Sequence, residues 1–312
     1  MLYLLLAILC GTTCNVLFKV FNKYNLDIKQ IVLFNYIAAV LINWIPISYN
    51  ATMMSDVGWD AYVLSPMVYF LSLIVGAFFM IAFVMMGKSV SLNGVALTTV
   101  AAKASLVLPV VLSWAFLDQP APALIPISLI LLALVCIVMP IGGKGRGRKD
   151  KYAPVSPKMG VYSVVGLMGV FFFYGICDFS LKLLQHTVSE QCQNSSLVGF
   201  KLNALTGNIF LMAMLLSLLI CVVSGSFKKH RLGWRVVVGG GLLGVLNAGC
   251  TAFILRGLLD LSTGVLYPMY HTSVVLLSTL VGVLFFSERL RLLQVLGLIL
   301  AATAFVLLFQ FS

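Results

Sequence analysis

Charge is scarce in this chain. Only 9% of its 312 residues are charged, and just 9 of them are acidic. An ordinary soluble domain carries about 25% charged residues, so the composition excludes a soluble enzyme, a disordered chain and a nucleic-acid binder. Histidine is almost missing too, with His186, His230 and His271 far apart. No His-Glu-x-x-His is present, and no Gly-x-x-x-x-Gly-Lys phosphate loop. The run Gly239-Gly240-Gly241 lies in an apolar stretch and reads as helix packing rather than phosphate binding. The seven cysteines, at 10, 14, 136, 177, 192, 221 and 250, form no C-x-x-C. An odd, scattered set argues against a disulfide framework or a zinc site. They read as small buried hydrophobes. Neither metal nor cofactor is expected.

What the chain has is apolar residues. They make up 61% of it, with a mean hydropathy of +1.09. A membrane helix needs about 20 of them. Ten spans are read, at about 2–20, 31–48, 67–86, 94–116, 122–140, 160–182, 198–222, 236–256, 264–286 and 291–311. The first has no basic start and no small-x-small site before a soluble domain, so it reads as a span rather than a leader. None alternates with period 2, which excludes a barrel. The expected class is therefore an all-α integral membrane protein, with the lipid bilayer as its surroundings. Asn50 and Asn194 match the glycosylation pattern, which matters only in a eukaryotic secretory pathway.

The fifth and sixth spans are separated by a basic linker rich in Gly and Pro, at 141–159. It divides the chain into 1–140 and 160–312. The two parts resemble each other. At an offset of 170, Ala82-Phe83-Val84 faces Ala252-Phe253-Ile254, Gly87 faces Gly257, Gly94-Val95 faces Gly264-Val265, and Asp118 faces Glu288. At an offset of 163, Asn15 and Lys19 face Asp178 and Lys182. Five spans per part is an odd number, so the second copy must cross in the opposite sense. Inverted repeats of this kind belong to secondary transporters, with a site near the midplane.

Of the 20 Lys and Arg, 16 fall at odd-numbered loops and helix ends, and only Lys182, Lys201 and Arg256 at even ones. The positive-inside rule then places the odd loops in the cytoplasm and both termini outside. The membrane expected is the plasma membrane, the inner membrane of a bacterium.

The ten spans, the doubled five-helix unit and the acid closing the fourth and ninth spans resemble the drug/metabolite transporter superfamily, in its EamA-like branch. The second copy reads Leu284-Phe-Phe-Ser-Glu288-Arg-Leu with Gly297 beyond, and the first Trp114-Ala-Phe-Leu-Asp118-Gln-Pro. The first copy departs from the pattern, with Asp for Glu and no matching Gly. The resemblance implies a permease or exporter of small metabolites. It also implies a cavity among the first, third, fourth, sixth, eighth and ninth helices, with the fifth and tenth peripheral.

One basic residue is not explained by topology. Lys103 lies nine residues after Gly94, about 13 Å along a helix. An ionisable group at that depth costs about 2.5–3.5 kcal/mol, which makes it a candidate for function. His271 lies in the ninth span, with Tyr267 and Tyr270 beside it, and Pro268 would free backbone carbonyls there. Asp178 and Lys182, four apart, share a helix face and fit either an ion pair or proton coupling. Asn15, Asn35, Asn203, Asn208 and Asn247 are amides within spans. Substrate contact is expected from Lys103, His271, Tyr267, Tyr270, Asn15, Asn35, Asn203 and Asn247. Lys201 snorkels, and Asp118 and Glu288 close helices. The excess of lysines favours an anionic or zwitterionic small molecule, such as an amino acid or an organic or phosphorylated acid. Efflux of aromatic drugs is the first alternative, although no Glu lies mid-span. An intramembrane lipid-modifying enzyme is the second, although no catalytic constellation appears. The protein is expected to act as a monomer or homodimer.

Overall fold

The computed structural model describes residues 1–24, 26–53, 62–93, 95–117, 161–192, 195–229 and 232–286, with five more between 295 and 303. The fifth span, the linker at 141–159, most of the tenth span, Asp118, Glu288, Cys136 and Asn194 lie outside the described residues, as do the side chains of Lys19 and Asn50.

The described regular elements are α-helices, and no strand occurs among them. In chain order they are α1 (Leu2–Lys23), α2 (Ile28–Met53), α3 (Pro66–Asn93), α4 (Val95–Ala104), α5 (Val107–Phe116), α6 (Val161–Gln191), α7 (Ser195–Val223), α8 (Ser226–Lys229), α9 (Trp234–Asp260) and α10 (Thr263–Phe286). Five are long and apolar enough to cross a membrane, over Ile28–Ile45, Pro66–Val90, Val164–Gln191, Leu197–Val223 and Trp234–Asp260. Large apolar side chains such as Phe70, Phe116, Leu219 and Phe285 point outward and are exposed. Such a surface is unfavourable in water and favourable in lipid. Together these features fit a membrane protein.

The fourth span does not form one continuous helix. It divides into α4 and α5 at Ser105 and Leu106. Pro109 is the cause. It has no N–H to give to the carbonyl of Ser105, and its ring crowds that carbonyl. The Ser105 carbonyl instead accepts from Leu108 N at 2.9 Å, and Ser105 Oγ turns back to the carbonyl of Ala102 at 2.6 Å. By contrast, α10 runs unbroken through Pro268.

Packing is dominated by a few pairs. α9 lies against α2 and α1, while α3 lies against α7 and α6. α2 and α7 pack on each other. α1 also packs on α10, and α6 on α4 and α5. Close approach of α9 to α2 depends on Gly240 and Gly244. A Cβ at Gly240 would stand 2.8 Å from the carbonyl oxygen of Ile31, and one at Gly244 would meet the carbonyl oxygen of Asn35. Small residues four apart let helix backbones touch in this way. At one end of the bundle Asp27 caps α2 through Lys29 N at 3.0 Å and takes the hydroxyl of Ser226. Gln30 Nε2 reaches the carbonyl of Ser226 at 3.3 Å. Gly225, at φ 63°, makes the turn that presents Ser226.

Candidate functional site

Six helices enclose a cavity. α1 contributes Gly11, Cys14, Asn15 and Phe18; α6 contributes Tyr174, Cys177, Asp178 and Leu181. α3 supplies Phe79, Ala82 and Phe83, and α9 supplies Asn247, Cys250, Thr251 and Ile254. Lys103 comes from α4, and Tyr270 and His271 from α10. These helices fall in the first, third, fourth, sixth, eighth and ninth of the apolar stretches read from the sequence. The i, i+3, i+4, i+7 spacing on α1, α6 and α9 is that of one helix face. The room open to the centre of a water molecule is about 80 Å³, several times the roughly 10–15 Å³ that one water needs. The space therefore suits a small molecule or a few waters.

The charged groups converge here. Lys103 is 7% exposed and makes no hydrogen bond or ion pair with any described residue. Its ammonium lies 4.6 Å from the centre of the Tyr270 ring, a cation–π arrangement. Asp178 Oδ2 stands 3.0 Å from His271 Nε2. Neither atom has a partner aligned for a hydrogen bond, and His271 Nδ1 is unpartnered among the described residues as well. The pair is close but not closed.

The tyrosines hold this arrangement in place. Tyr270 OH meets Cys250 Sγ at 3.2 Å, linking α10 to α9. The same hydroxyl fills the space left by Gly11, where a Cβ would collide with it. Tyr267 is fully buried and donates to the backbone carbonyl of Asp178 at 2.5 Å, tying α10 to α6. Asn15 Nδ2 reaches Ser278 Oγ at 3.4 Å, while Asn247 Nδ2 has no partner among the described residues.

Of the residues singled out in the sequence, Lys103, His271, Tyr270, Asn15, Asn247 and Asp178 line the cavity. Tyr267, Asn35, Asn203 and Lys182 do not. Asn203 Oδ1 accepts from Arg256 at 2.9 Å, and both amide atoms of Asn35 are buried without a partner among the described residues. Lys182 Nζ donates to Gln185 Oε1 at 3.0 Å rather than reaching Asp178. The phenyl wall of Phe18, Phe79 and Phe83 and the thiols of Cys14, Cys177 and Cys250 were not anticipated as lining. One signal could have found part of it. At the offset of 163, Gly11, Cys14, Asn15 and Phe18 fall on Tyr174, Cys177, Asp178 and Leu181, and all eight line the cavity. On the other helices the cavity positions match at an offset of 168. Phe79, Ala82, Phe83 and Lys103 fall on Asn247, Cys250, Thr251 and His271. That is two less than the offset of greatest sequence likeness, and it puts His271 opposite Lys103.

No family model matches the chain. A Haemophilus influenzae protein described as uncharacterized is 25% identical over 314 residues, covering 98% of this chain and 97% of that protein. A solved crystal structure shares the fold with a TM-score of 0.59 at 14% identity, covering 98% of this chain and 99% of the other.

Proposed function

We propose that this chain is a ten-helix secondary transporter of small anionic or zwitterionic metabolites, of the drug/metabolite transporter type. It works by alternating access between two inverted five-helix repeats. The observation that carries this reading is the cavity itself, with a buried, unpaired lysine beside an aspartate–histidine pair. Intramembrane charge is expensive and is retained where it handles a polar cargo. Lys103 offers three donors to a carboxylate or phosphate, and the phenyl wall suits an apolar portion.

The packing supports the repeat. Contacts between the two parts occur in exchanged pairs. α2 against α9 has its counterpart in α7 against α3, and α1 against α9 in α6 against α3. α1 against α10 is matched by α6 against α4 and α5. Such exchange is what inverted repeats need if rocking of one part is to close one end and open the other. No chemical conversion is proposed at the cavity, so the chain is not read as an enzyme.

The test begins with metabolite profiling of medium from cells with and without the gene. Uptake of the candidates into proteoliposomes follows. Lys103→Ala is expected to lower transport of the anion about ten- to a hundredfold, since a charge-assisted hydrogen bond contributes about 1.5–3 kcal/mol. Transport of every candidate unchanged by Lys103→Ala would defeat the proposal. If aromatic cations are carried instead, the drug-efflux alternative replaces it.

A further inference from the structure

We infer that the Asp178–His271 pair is a proton-binding site in the cavity wall, filled when an anion occupies the space in front of Lys103. This deepens the transporter reading and rests on it for the anion.

The argument starts from charge. Lys103 on α4 brings one positive charge to the cavity, and Asp178 on α6 brings one negative charge. The remaining titratable groups around the pair are neutral in their ordinary state. They are Cys14 on α1, Cys250 on α9, and Tyr174 and Cys177 on α6. Tyr270 and Tyr267 on α10 complete them. α3 presents only Phe79, Ala82 and Phe83, and no described residue of α2, α5 or α7 lines the space. With His271 neutral, the cavity is therefore balanced. An anion arriving at Lys103 would leave one uncompensated negative charge in a water-poor space, a costly state. One proton on the pair restores the balance.

The geometry supplies the place for that proton. His271 Nε2 lies 3.0 Å from Asp178 Oδ2, close to the length of a charge-assisted hydrogen bond. Nδ1 is free of protein partners among the described residues. A proton passes from hydronium in the cavity to Nδ1, leaving water behind, while Nε2–H turns onto the Asp178 carboxylate. The hydrogen bond that is now off-line closes. The closed pair links α6 to α10, and Tyr267 already fixes the same two helices one turn away.

The experiment uses the whole chain in proteoliposomes on a solid-supported membrane. The first probe is a pH jump with no metabolite present. Acidification is expected to drive a transient current in the wild type and in His186→Gln, which alters a histidine outside the cavity. The current is expected to vanish in Asp178→Asn and in His271→Gln. Benzenesulfonate, an anion at every working pH, is then expected to enlarge proton uptake in the wild type but not in Lys103→Met. No wild-type current even with benzenesulfonate present, or equal currents in the wild type and both pair variants, overturns the site. Proton uptake indifferent to benzenesulfonate, acetate and phosphate overturns its link to the anion. If the pair variants fail to fold, ¹⁵N-histidine spectra of His186→Gln/His230→Gln leave only the signal of His271, which must titrate. A signal fixed across the pH range overturns the site. The jump contains no metabolite, so its failure leaves the transporter reading standing. A metabolite screen without hits leaves the proton site standing.

Discussion

At the scale of single residues, the site depends on one side chain more than its own chemistry suggests. Tyr270 carries the ring beneath Lys103, bonds Cys250, and occupies the hollow left by Gly11. Gly11→Ala sets a methyl group against the Tyr270 hydroxyl. Overpacking of this sort costs about 1–3 kcal/mol, so the melting temperature in detergent should fall. Tyr270→Phe removes the offending oxygen and should restore most of the loss in the double variant, while the ring stays available to Lys103. Failure of the double variant to recover would mean that the strain lies elsewhere. Residue-level reading of the sequence could single out Lys103, which lies in the cavity wall, because depth in an apolar span is a local property. It could not find the partner of Asp178. The spacing to Lys182 is right for a pair on one helix face, yet Lys182 turns to Gln185, and His271 approaches from another helix. No local spacing encodes a contact between residues so far apart in the chain.

At the scale of helices, the break between α4 and α5 is the feature with most bearing on function. Proline positions are visible in any sequence, but their effect depends on where they fall. Pro268 lies within α10, which continues through it, whereas Pro109 splits its span. Pro109→Ala restores an N–H for the Ser105 carbonyl and removes the ring clash. A helix-interior proline costs about 3 kcal/mol relative to alanine, so the variant is expected to be at least as stable as the wild type. Transport should nevertheless fall, because straightening the span swings Lys103 away from Tyr270. Undiminished transport in Pro109→Ala would show that the break is incidental. The five described helices long and apolar enough to cross a membrane were legible because length and hydropathy are additive along the chain. The offset of 168 between cavity faces was not, because likeness between Leu- and Val-rich helices follows outward-facing and packing residues as much as the few that line the cavity.

For the whole molecule, the tie between Asp27 and Ser226 joins the α1–α2 connection to the start of α8, and so fastens the first part of the chain to the second at one end. The proposed alternating access requires such fastenings to open. Asp27→Ala is expected to raise the labelling rate of Cys14, Cys177 and Cys250 by a small maleimide applied from that end. An unchanged rate would make the tie a structural cap alone. The charge distribution makes a second prediction at this scale. A fluorescent reporter fused to Ser312 that folds only in the cytoplasm should stay dark, because the Lys and Arg distribution predicts both termini outside. A bright reporter would invert the assignment of every loop.

One consequence of the broken fourth span concerns how a lysine is tolerated at such depth. The interruption places Lys103 in the last turn of a half-helix, α4 ending at Ala104. The aligned peptide dipoles of a helix leave about half an elementary negative charge at that terminus. The backbone itself thus acts as a partial counterion to the ammonium. That partial charge adds to the one carried by Asp178, the one acid among the described lining residues, in compensating the ammonium.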